Sequence, residues 1–269
     1  MSGGCNLVPV ADVWSGMADS PRLAPVRRPI VFWGPKNSGK TTFLGRMLMR
    51  PAEFDDAGEW HVAPADERSG DYAAEVLETL RREGSVRPTL VTERPFRFKL
   101  QRRRRRWLRP DYTEWDLVVL DPKGELFMRN RLRESDDGSM LQLIAQAHGL
   151  LLLIDPAGQA ADSYWEMFAD NIHEFVTAMK EGGNGSRMLD GVNRIRVPTA
   201  VCLTKMDLFP ECDDALVFLQ QRLGPAFDLV QRSFTDYRVF ACSALASPPW
   251  GLLPPLQWLT ADTRIRLPF

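Results

Sequence analysis

Residues 34–41, Gly-Pro-Lys-Asn-Ser-Gly-Lys-Thr, decide the fold of this chain. The apolar segment 29–33 precedes them and predicts a strand, and the segment 42–49 that follows predicts a helix. The glycines let successive backbone N–H groups converge on one point, where the dipole of the helix N-terminus also favours negative charge. Strand, loop and helix in this order predict a phosphate-binding loop that holds a nucleoside triphosphate.

Two residue types at the end of the loop carry specific chemistry. Lys40 can reach the β- and γ-phosphates and stabilise the charge that develops there, and the Thr41 hydroxyl is a ligand for Mg²⁺. The predicted nucleotide contacts of this segment are Gly34, Lys36, Asn37, Ser38, Gly39, Lys40, Thr41 and Thr42. A glycine-rich turn without a ligand is the alternative, and the complete spacing together with the preceding strand argues against it.

A second segment predicts which base is bound. The apolar segment 197–203 predicts a buried strand that ends at Thr204, and Lys205 and Asp207 follow. A carboxylate can accept two hydrogen bonds from the N1–H and 2-amino edge of guanine, whereas adenine has no such pair of donors. The lysine stem can lie along the plane of the base. A solvated lysine–aspartate pair at a strand end is the alternative, but the position behind a phosphate loop favours guanine.

The guanine O6 needs a donor, and a third segment supplies a candidate. Residues 237–242 predict another strand, after which come Ser243, Ala244 and Leu245. A backbone N–H of these three residues can meet the guanine O6.

Between the phosphate loop and the base segments lies a predicted metal and switch element. The segment 115–120 predicts a strand, and it is followed by the D-x-x-G step that begins at Asp121 and ends at Gly124. Asp121 would hold Mg²⁺ through a water molecule, and the Gly124 N–H would contact the γ-phosphate.

The four motifs, in this order, make the chain similar to Ras-like GTPases over about residues 29–260. The resemblance implies a molecular switch that hydrolyses GTP to GDP and phosphate with Mg²⁺. Hydrolysis without a partner should be slow, because the Glu125 carboxylate near the triphosphate raises the electrostatic cost. The chain departs from the family pattern at Thr204, where asparagine is commonest, and at Glu125, where a water-orienting glutamine is usual. Glu125 can position the attacking water or repel the γ-phosphate. A GTP-binding scaffold without turnover is therefore the alternative.

A finer resemblance is to the bacterial double-GTPase group, whose members are often encoded beside a second GTPase. It is carried by Asp-Pro-x-Gly-Glu at 121–125, Leu-Leu-Ile-Asp-Pro at 152–156 and Pro-Leu-x-Trp-Leu at 255–259. This resemblance implies a second GTPase as a partner whose binding depends on the nucleotide.

The chain from residue 29 onward alternates predicted strands and helices. This alternation predicts an α/β fold, a doubly wound and mostly parallel sheet with helices on both faces. Residues 1–28 predict a leader that is surface-packed or disordered, and 29–269 one GTPase domain. An extra segment of about 51–87 predicts a helical insertion, with an amphipathic helix at 71–83 that Gly84 ends. It would be a lid or partner platform, or else an elongated loop with one surface helix.

After the insertion, a GTPase needs a switch hydroxyl that binds Mg²⁺ only in the triphosphate state. Thr89 and Thr92 are the candidates, and Thr92 is favoured because it stands just before the predicted strand 96–100. Arg87 closes the insertion. G-protein α subunits carry a cis arginine finger in the same place, so Arg87 is a candidate finger. Neutralising Glu83, or facing solvent, is the alternative for this side chain.

Five consecutive arginines, Arg102 to Arg106, lie between the predicted strands 96–100 and 115–120, which would form an antiparallel hairpin. The run predicts either a surface for an acidic protein or an anionic membrane, or a solvated hairpin tip. Specific nucleic-acid binding is disfavoured because only Trp107 among nearby residues is an aromatic that could stack on a base.

The composition sets the remaining limits. The chain has 34 basic and 35 acidic residues, so no global charge draws it to polyanions. Its longest apolar run, 150–154, is too short to cross a bilayer, and residues 1–5 lack the features of a signal peptide. The four cysteines have no metal-ligand spacing. These features predict a cytoplasmic protein with reduced thiols.

Overall fold

The structure of the 269-residue chain is a computed structural model. It describes residues 29–34, 37–49, 53–55, 58–84, 95–104, 111–119, 146–157, 169–170, 172–173, 176–177, 180 and 189–261. The strands are β1 (Ile30–Trp33), β2 (Glu53–Asp55), β3 (Gly58–Pro64), β4 (Phe96–Arg104), β5 (Asp111–Val119), β6 (Gly149–Ile154), β7 (Thr199–Leu203) and β8 (Tyr237–Ala241). The helices with complete bounds are α1 (Lys40–Met49), α2 (Glu67–Glu83), α3 (Ala215–Arg222), α4 (Gly224–Ser233) and α5 (Leu253–Leu259).

The eight strands form one sheet in the order β2-β3-β4-β5-β1-β6-β7-β8. β1 pairs in parallel with β5 and β6, and β6–β7 and β7–β8 are also parallel. β2, β3, β4 and β5 pair antiparallel in succession. Every residue of β1, β6 and β7 is buried, as expected of central parallel strands that helices cover on both faces.

The two faces of the sheet carry separate cores. Ile30 and Phe32 of β1 pack with side chains of α1, α2 and α5 on one face. Val31 and Trp33 point to the other face, where they pack with side chains of α3 and α4. This alternation along β1 follows from the two-residue period of a strand. The predicted doubly wound, mostly parallel sheet with helices on both faces is therefore confirmed.

The predicted helical insertion at 51–87 needs correction, because its first part is sheet. β2 and β3 form an antiparallel hairpin, and β3 pairs with β4, so the hairpin extends the sheet. The predicted helix begins earlier than residue 71, since the Asp66 carboxylate caps it by accepting from the Ser69 N–H at 2.8 Å. Gly84, with φ at 70°, ends it as predicted.

Helix α2 is amphipathic, as its apolar spacing predicts, and it packs one face into the core. Val76 and Leu80 are buried against α1, where a Cβ added to Gly45 would lie 2.6 Å from Val76 Cγ1 and 2.5 Å from Leu80 Cδ1. Only glycine at this position allows the two helices to approach so closely.

The predicted antiparallel hairpin of β4 and β5 is confirmed, but the arginine run is not a uniform tip. Arg102 lies within β4 and is buried, with its guanidinium carbon 5.3 Å from the ring centroids of both Trp60 and Trp115. Arg103 pairs with Glu59 at 3.7 Å. The prediction of an exposed arginine patch is therefore wrong for Arg102.

Among the described residues, no helix is both long and apolar enough to cross a bilayer.

Candidate functional site

The predicted phosphate loop joins β1 to α1. Gly34 has φ at 148°, and a Cβ there would lie 2.4 Å from the carbonyl oxygen of Leu153, so only glycine fits. Asn37 and Gly39 have φ at 66° and 90°, which turns the chain into the helix that begins at Lys40. The Lys40 ammonium is buried and donates to the Gly34 carbonyl at 2.9 Å. The Lys40 ammonium, which could pair with a bound phosphate, is thus hydrogen-bonded to the first residue of the predicted loop.

Thr204 ties the phosphate loop to the predicted base segment. Its Oγ1 lies 3.0 Å from the carbonyl oxygen of Ser38 and 3.1 Å from that of Ile154. Its backbone N–H also donates to Ile154 at 2.8 Å. Residues far apart in sequence are therefore held together at the carboxyl ends of β6 and β7, where open α/β sheets place their ligands.

A cavity of about 140 Å³ opens between these segments. It is lined by Gly39, Thr42, Phe43, Thr204, Lys205, Asp207, Leu208, Cys242, Ala244 and Leu245. The three predicted segments for phosphate and base thus meet around one cavity. Sequence reasoning did not assign Phe43, Leu208 or Cys242 to it, because an apolar side chain carries no signal for a particular ligand. Burial raises the pKa of the Cys242 thiol to about 12.

The Asp207 carboxylate is held in place at the exposed mouth of this cavity. The Ser243 hydroxyl donates to it, and in turn accepts from the Ala246 N–H at 3.1 Å. The Ser243 N–H donates to Trp250 at 3.0 Å and is not available to a base. Within the described part of the chain, no hydrogen bond uses the N–H groups of Ala244 or Leu245. The predicted donor to the guanine O6 is therefore the N–H of Ala244 or that of Leu245.

Lys205 is fixed at both ends. Its backbone is left-handed, with φ at 55°, and its ammonium donates to the carboxylate of Asp155. Asp155 is buried just after β6 and also accepts from the Ala157 N–H at 2.9 Å. This partner was missed by sequence reasoning. The only sequence signal for it was the acidic residue at the end of the apolar run 150–154.

The predicted metal site is described only at Thr41. Its hydroxyl oxygen is the hard ligand that Mg²⁺ accepts, and Mg²⁺ beside a triphosphate needs only one or two protein ligands. Within the ranges that the structure describes, no three His, Cys, Asp or Glu residues are grouped to hold a metal. The other predicted functional residues, Lys36, Arg87, Thr89, Thr92, Asp121, Gly124 and Glu125, lie outside the described residues.

No protein-family model and no curated protein matches the chain. The chain is similar to the solved structure of a bacterial selenocysteine-specific elongation factor, EF-Sec, at 12% identity and a TM-score of 0.38, covering 82% of this chain and 26% of that one. It is also similar to nucleolar GTP-binding protein 1 from Plasmodium falciparum, at 12% identity and a TM-score of 0.43, with 91% and 92% covered. A third is the signal recognition particle receptor in an SRb-GTP/SRX complex from Chaetomium thermophilum, at 12% identity and a TM-score of 0.41, with 81% and 94% covered.

At 12% identity these similarities do not identify a ligand, so a ligand is inferred from the residues of this chain alone. The strand order and the position of the loop between β1 and α1 confirm the predicted architecture, a doubly wound and mostly parallel sheet with helices on both faces.

Proposed function

We propose that the protein binds GTP and GDP at the cavity beside Thr204 and acts as a GTP-binding switch. The observation that carries the proposal is the Asp207 carboxylate. Ser243 orients it at the mouth of a cavity whose lining also includes Gly39 and Thr42 of the phosphate-binding segment.

Guanine fits this arrangement by its hydrogen-bonding edge. Its N1–H and 2-amino groups match the two oxygens of Asp207, and its O6 matches the N–H groups of Ala244 and Leu245. The Lys205 stem offers apolar surface to the base while Asp155 holds its ammonium. Adenine would leave the carboxylate facing an acceptor.

Isothermal titration calorimetry with GDP and ADP in the presence of Mg²⁺ tests the proposal. The wild type should prefer GDP. Asp207→Asn should lose about 1–3 kcal/mol of GDP affinity, the cost of a mispaired polar group, and should gain affinity for xanthosine diphosphate. Asp213→Asn removes the same charge from an exposed residue outside the cavity. It should change neither the affinity for GDP nor the affinity for xanthosine diphosphate. Preference for ADP in the wild type would refute a guanine site.

We further propose that the bound GTP is hydrolysed with Mg²⁺ by in-line attack of water. Lys40 would stabilise charge, Thr41 and Thr92 would bind the metal, and Asp121 would hold a metal-bound water. Glu125 would position the attacking water. The metal would neutralise charge on the β- and γ-phosphates when bound.

Single-turnover release of phosphate separates this reaction from GTP binding alone. Glu125→Gln should keep or raise the rate and Glu125→Ala should lower it. Equal rates for Glu125→Ala and the wild type would remove Glu125 from the reaction. GTP binding without any phosphate release would establish the alternative, a non-hydrolysing scaffold.

Arg87 is proposed as an arginine finger supplied by the chain itself. Arg87→Ala should then lower turnover by a factor on the order of 100, with GTP affinity nearly unchanged. A loss of only a few-fold would favour a finger supplied by a partner.

The proposed partner is a protein that distinguishes the GTP from the GDP state, with a second GTPase as the expected kind. Capture with the protein loaded with a GTP analogue or with GDP tests this idea. The buried position of Arg102 weakens the proposal of an arginine surface for acidic proteins or membranes, and a nucleic-acid regulator is weakened further.

A further inference from the structure

Helix α2 reaches the predicted metal site through one side chain, Tyr72. Its hydroxyl lies 3.4 Å from the Oγ1 of Thr41. Its ring stacks on Phe96, the first residue of β4, with ring centroids 3.8 Å apart and planes at 8°. Tyr72 is buried. One residue of the inserted segment therefore contacts both the first helical turn of the phosphate site and the strand that follows the predicted switch.

The position of Tyr72 is set by contacts on the preceding helical turn. The Ser69 hydroxyl accepts from the Arg97 N–H at 2.9 Å, and the Ala65 N–H donates to the Arg97 carbonyl at 3.0 Å. The Arg68 guanidinium carbon lies 4.8 Å from the Phe96 centroid, and Asp66 caps the helix. Two hydrogen bonds to the Arg97 main chain and two contacts with the Phe96 ring thus hold the start of α2 against β4.

The hydroxyl of Tyr72 is not needed for this packing. A phenylalanine would make the same stack on Phe96, and a buried phenol costs free energy unless it finds a hydrogen-bond partner. Thr41 Oγ1 lies within reach as such a partner. A threonine oxygen has two lone pairs, so it can accept from Tyr72 and still offer the second pair to a metal.

We propose that Tyr72 is a positioning residue for Thr41, the predicted magnesium ligand. This inference rests on the proposed function. By donating to the threonine oxygen, the phenol holds its lone pair toward the metal before the metal arrives, so less rotamer freedom is lost on binding. Because coupling between two sites is reciprocal, bound magnesium also strengthens the attachment of α2 to α1.

The test is release of fluorescent N-methylanthraniloyl-GDP measured over a range of free Mg²⁺. Tyr72→Phe should raise the Mg²⁺ concentration needed for half-maximal retention by about three- to tenfold, the range of one net hydrogen bond. Release in excess EDTA should be unchanged, because the phenol acts through the metal ligand. Thr79→Val is the matched control, since it removes an exposed hydroxyl of α2 that bonds only to Glu75 of the same helix. It should leave the Mg²⁺ dependence unaltered.

A second measurement separates positioning from packing. The melting temperature of the nucleotide-free protein should hardly change in Tyr72→Phe, and the shift that Mg²⁺ and GDP add to it should shrink. In a Thr41→Ala background, Tyr72→Phe should have no further effect on Mg²⁺ dependence. An unchanged Mg²⁺ midpoint in Tyr72→Phe, or equally faster release with EDTA, would overturn the inference alone. Failure of the wild type to bind GDP at all would overturn the proposed function and this inference together.

Discussion

At the residue scale, Thr204 shows how one small side chain can join two segments of the candidate site. One hydroxyl lies between the carbonyl oxygens of Ser38 and Ile154, so it touches the phosphate loop and β6 at once. Ile154 keeps a second donor, the Thr204 N–H, whereas the hydroxyl is the contact that reaches Ser38.

Thr204→Val should therefore weaken both folding and nucleotide binding. The Ser38 carbonyl would lose its hydroxyl donor, which costs about 1–3 kcal/mol for a buried group. Thr199→Val is the matched control, because it removes a buried hydroxyl that bonds only to Val197. Urea denaturation should show a lower free energy of unfolding in both variants. Calorimetry should show a lower GDP affinity in Thr204→Val alone. Equal GDP affinities would mean that the hydroxyl does not organise the site.

Gly34 gives a second prediction at this scale. In Gly34→Ala the new methyl group would meet the Leu153 carbonyl at 2.4 Å, with a backbone φ that alanine rarely adopts. The free energy of unfolding should fall by about 1–3 kcal/mol, and GDP binding should be lost. Gly70→Ala is the control. It lies within α2 with open space around its Cβ position, and it should raise the free energy of unfolding by about 0.5–1 kcal/mol. A similar loss of stability in Gly34→Ala and Gly70→Ala would contradict the steric explanation.

At the scale of elements, apolar patterns predicted the central strands well and the inserted hairpin not at all. β1 and β6 are continuous apolar runs and β7 is apolar after Thr199, as expected of strands buried on both faces. β3 alternates buried Trp60 and Val62 with polar neighbours over a few residues, and β2 has three residues. Such short strands depend on pairing with β4, a long-range contact that local sequence does not encode.

The helix boundaries were also predicted only in part. The sequence predicts Asp213 or Asp214 as the first residue of a helix, and Asp214 caps α3, with its carboxylate accepting from the N–H groups of Leu216 and Val217. The sequence also predicts that this helix ends at Gly224-Pro225, and α3 ends at Arg222. In the structure α4 begins there, because proline is favoured in the first turn, where its missing N–H is not needed.

The close packing of α1 on α2 leads to a prediction of non-additive energies. Leu80→Ala should cost about 2–5 kcal/mol, as for other buried leucines. Gly45→Ala should be destabilising in the wild type, because its methyl group would collide with Leu80, and less so once Leu80 is shortened. A double-mutant cycle by urea denaturation should give a favourable coupling of about 0.5–3 kcal/mol. Strictly additive values would show that the two helices do not touch there.

At the scale of the whole molecule, the sequence predicted the parts of the site but not how they hold one another. The spacing of the motifs predicted that Lys40, Thr204 and Asp207 belong to one site, and the structure brings their segments around one cavity. The anchoring of Lys205 by Asp155 was beyond prediction, because it joins two strand ends that only the folded sheet makes adjacent. A run of charged residues does not establish exposure for the same reason, since Arg102 is buried in the folded sheet.

The stacked indoles of Trp60 and Trp115 have an optical consequence. Their ring centroids are 6.0 Å apart and their planes differ by 20°, so their electronic transitions should couple and give a paired circular-dichroism band. This signal should be lost in Trp60→Phe, because Trp115 then has no stacked indole beside it. The part of the sheet formed by β3, β4 and β5 thus has a spectroscopic signal of its own, through which the folding of these strands can be followed.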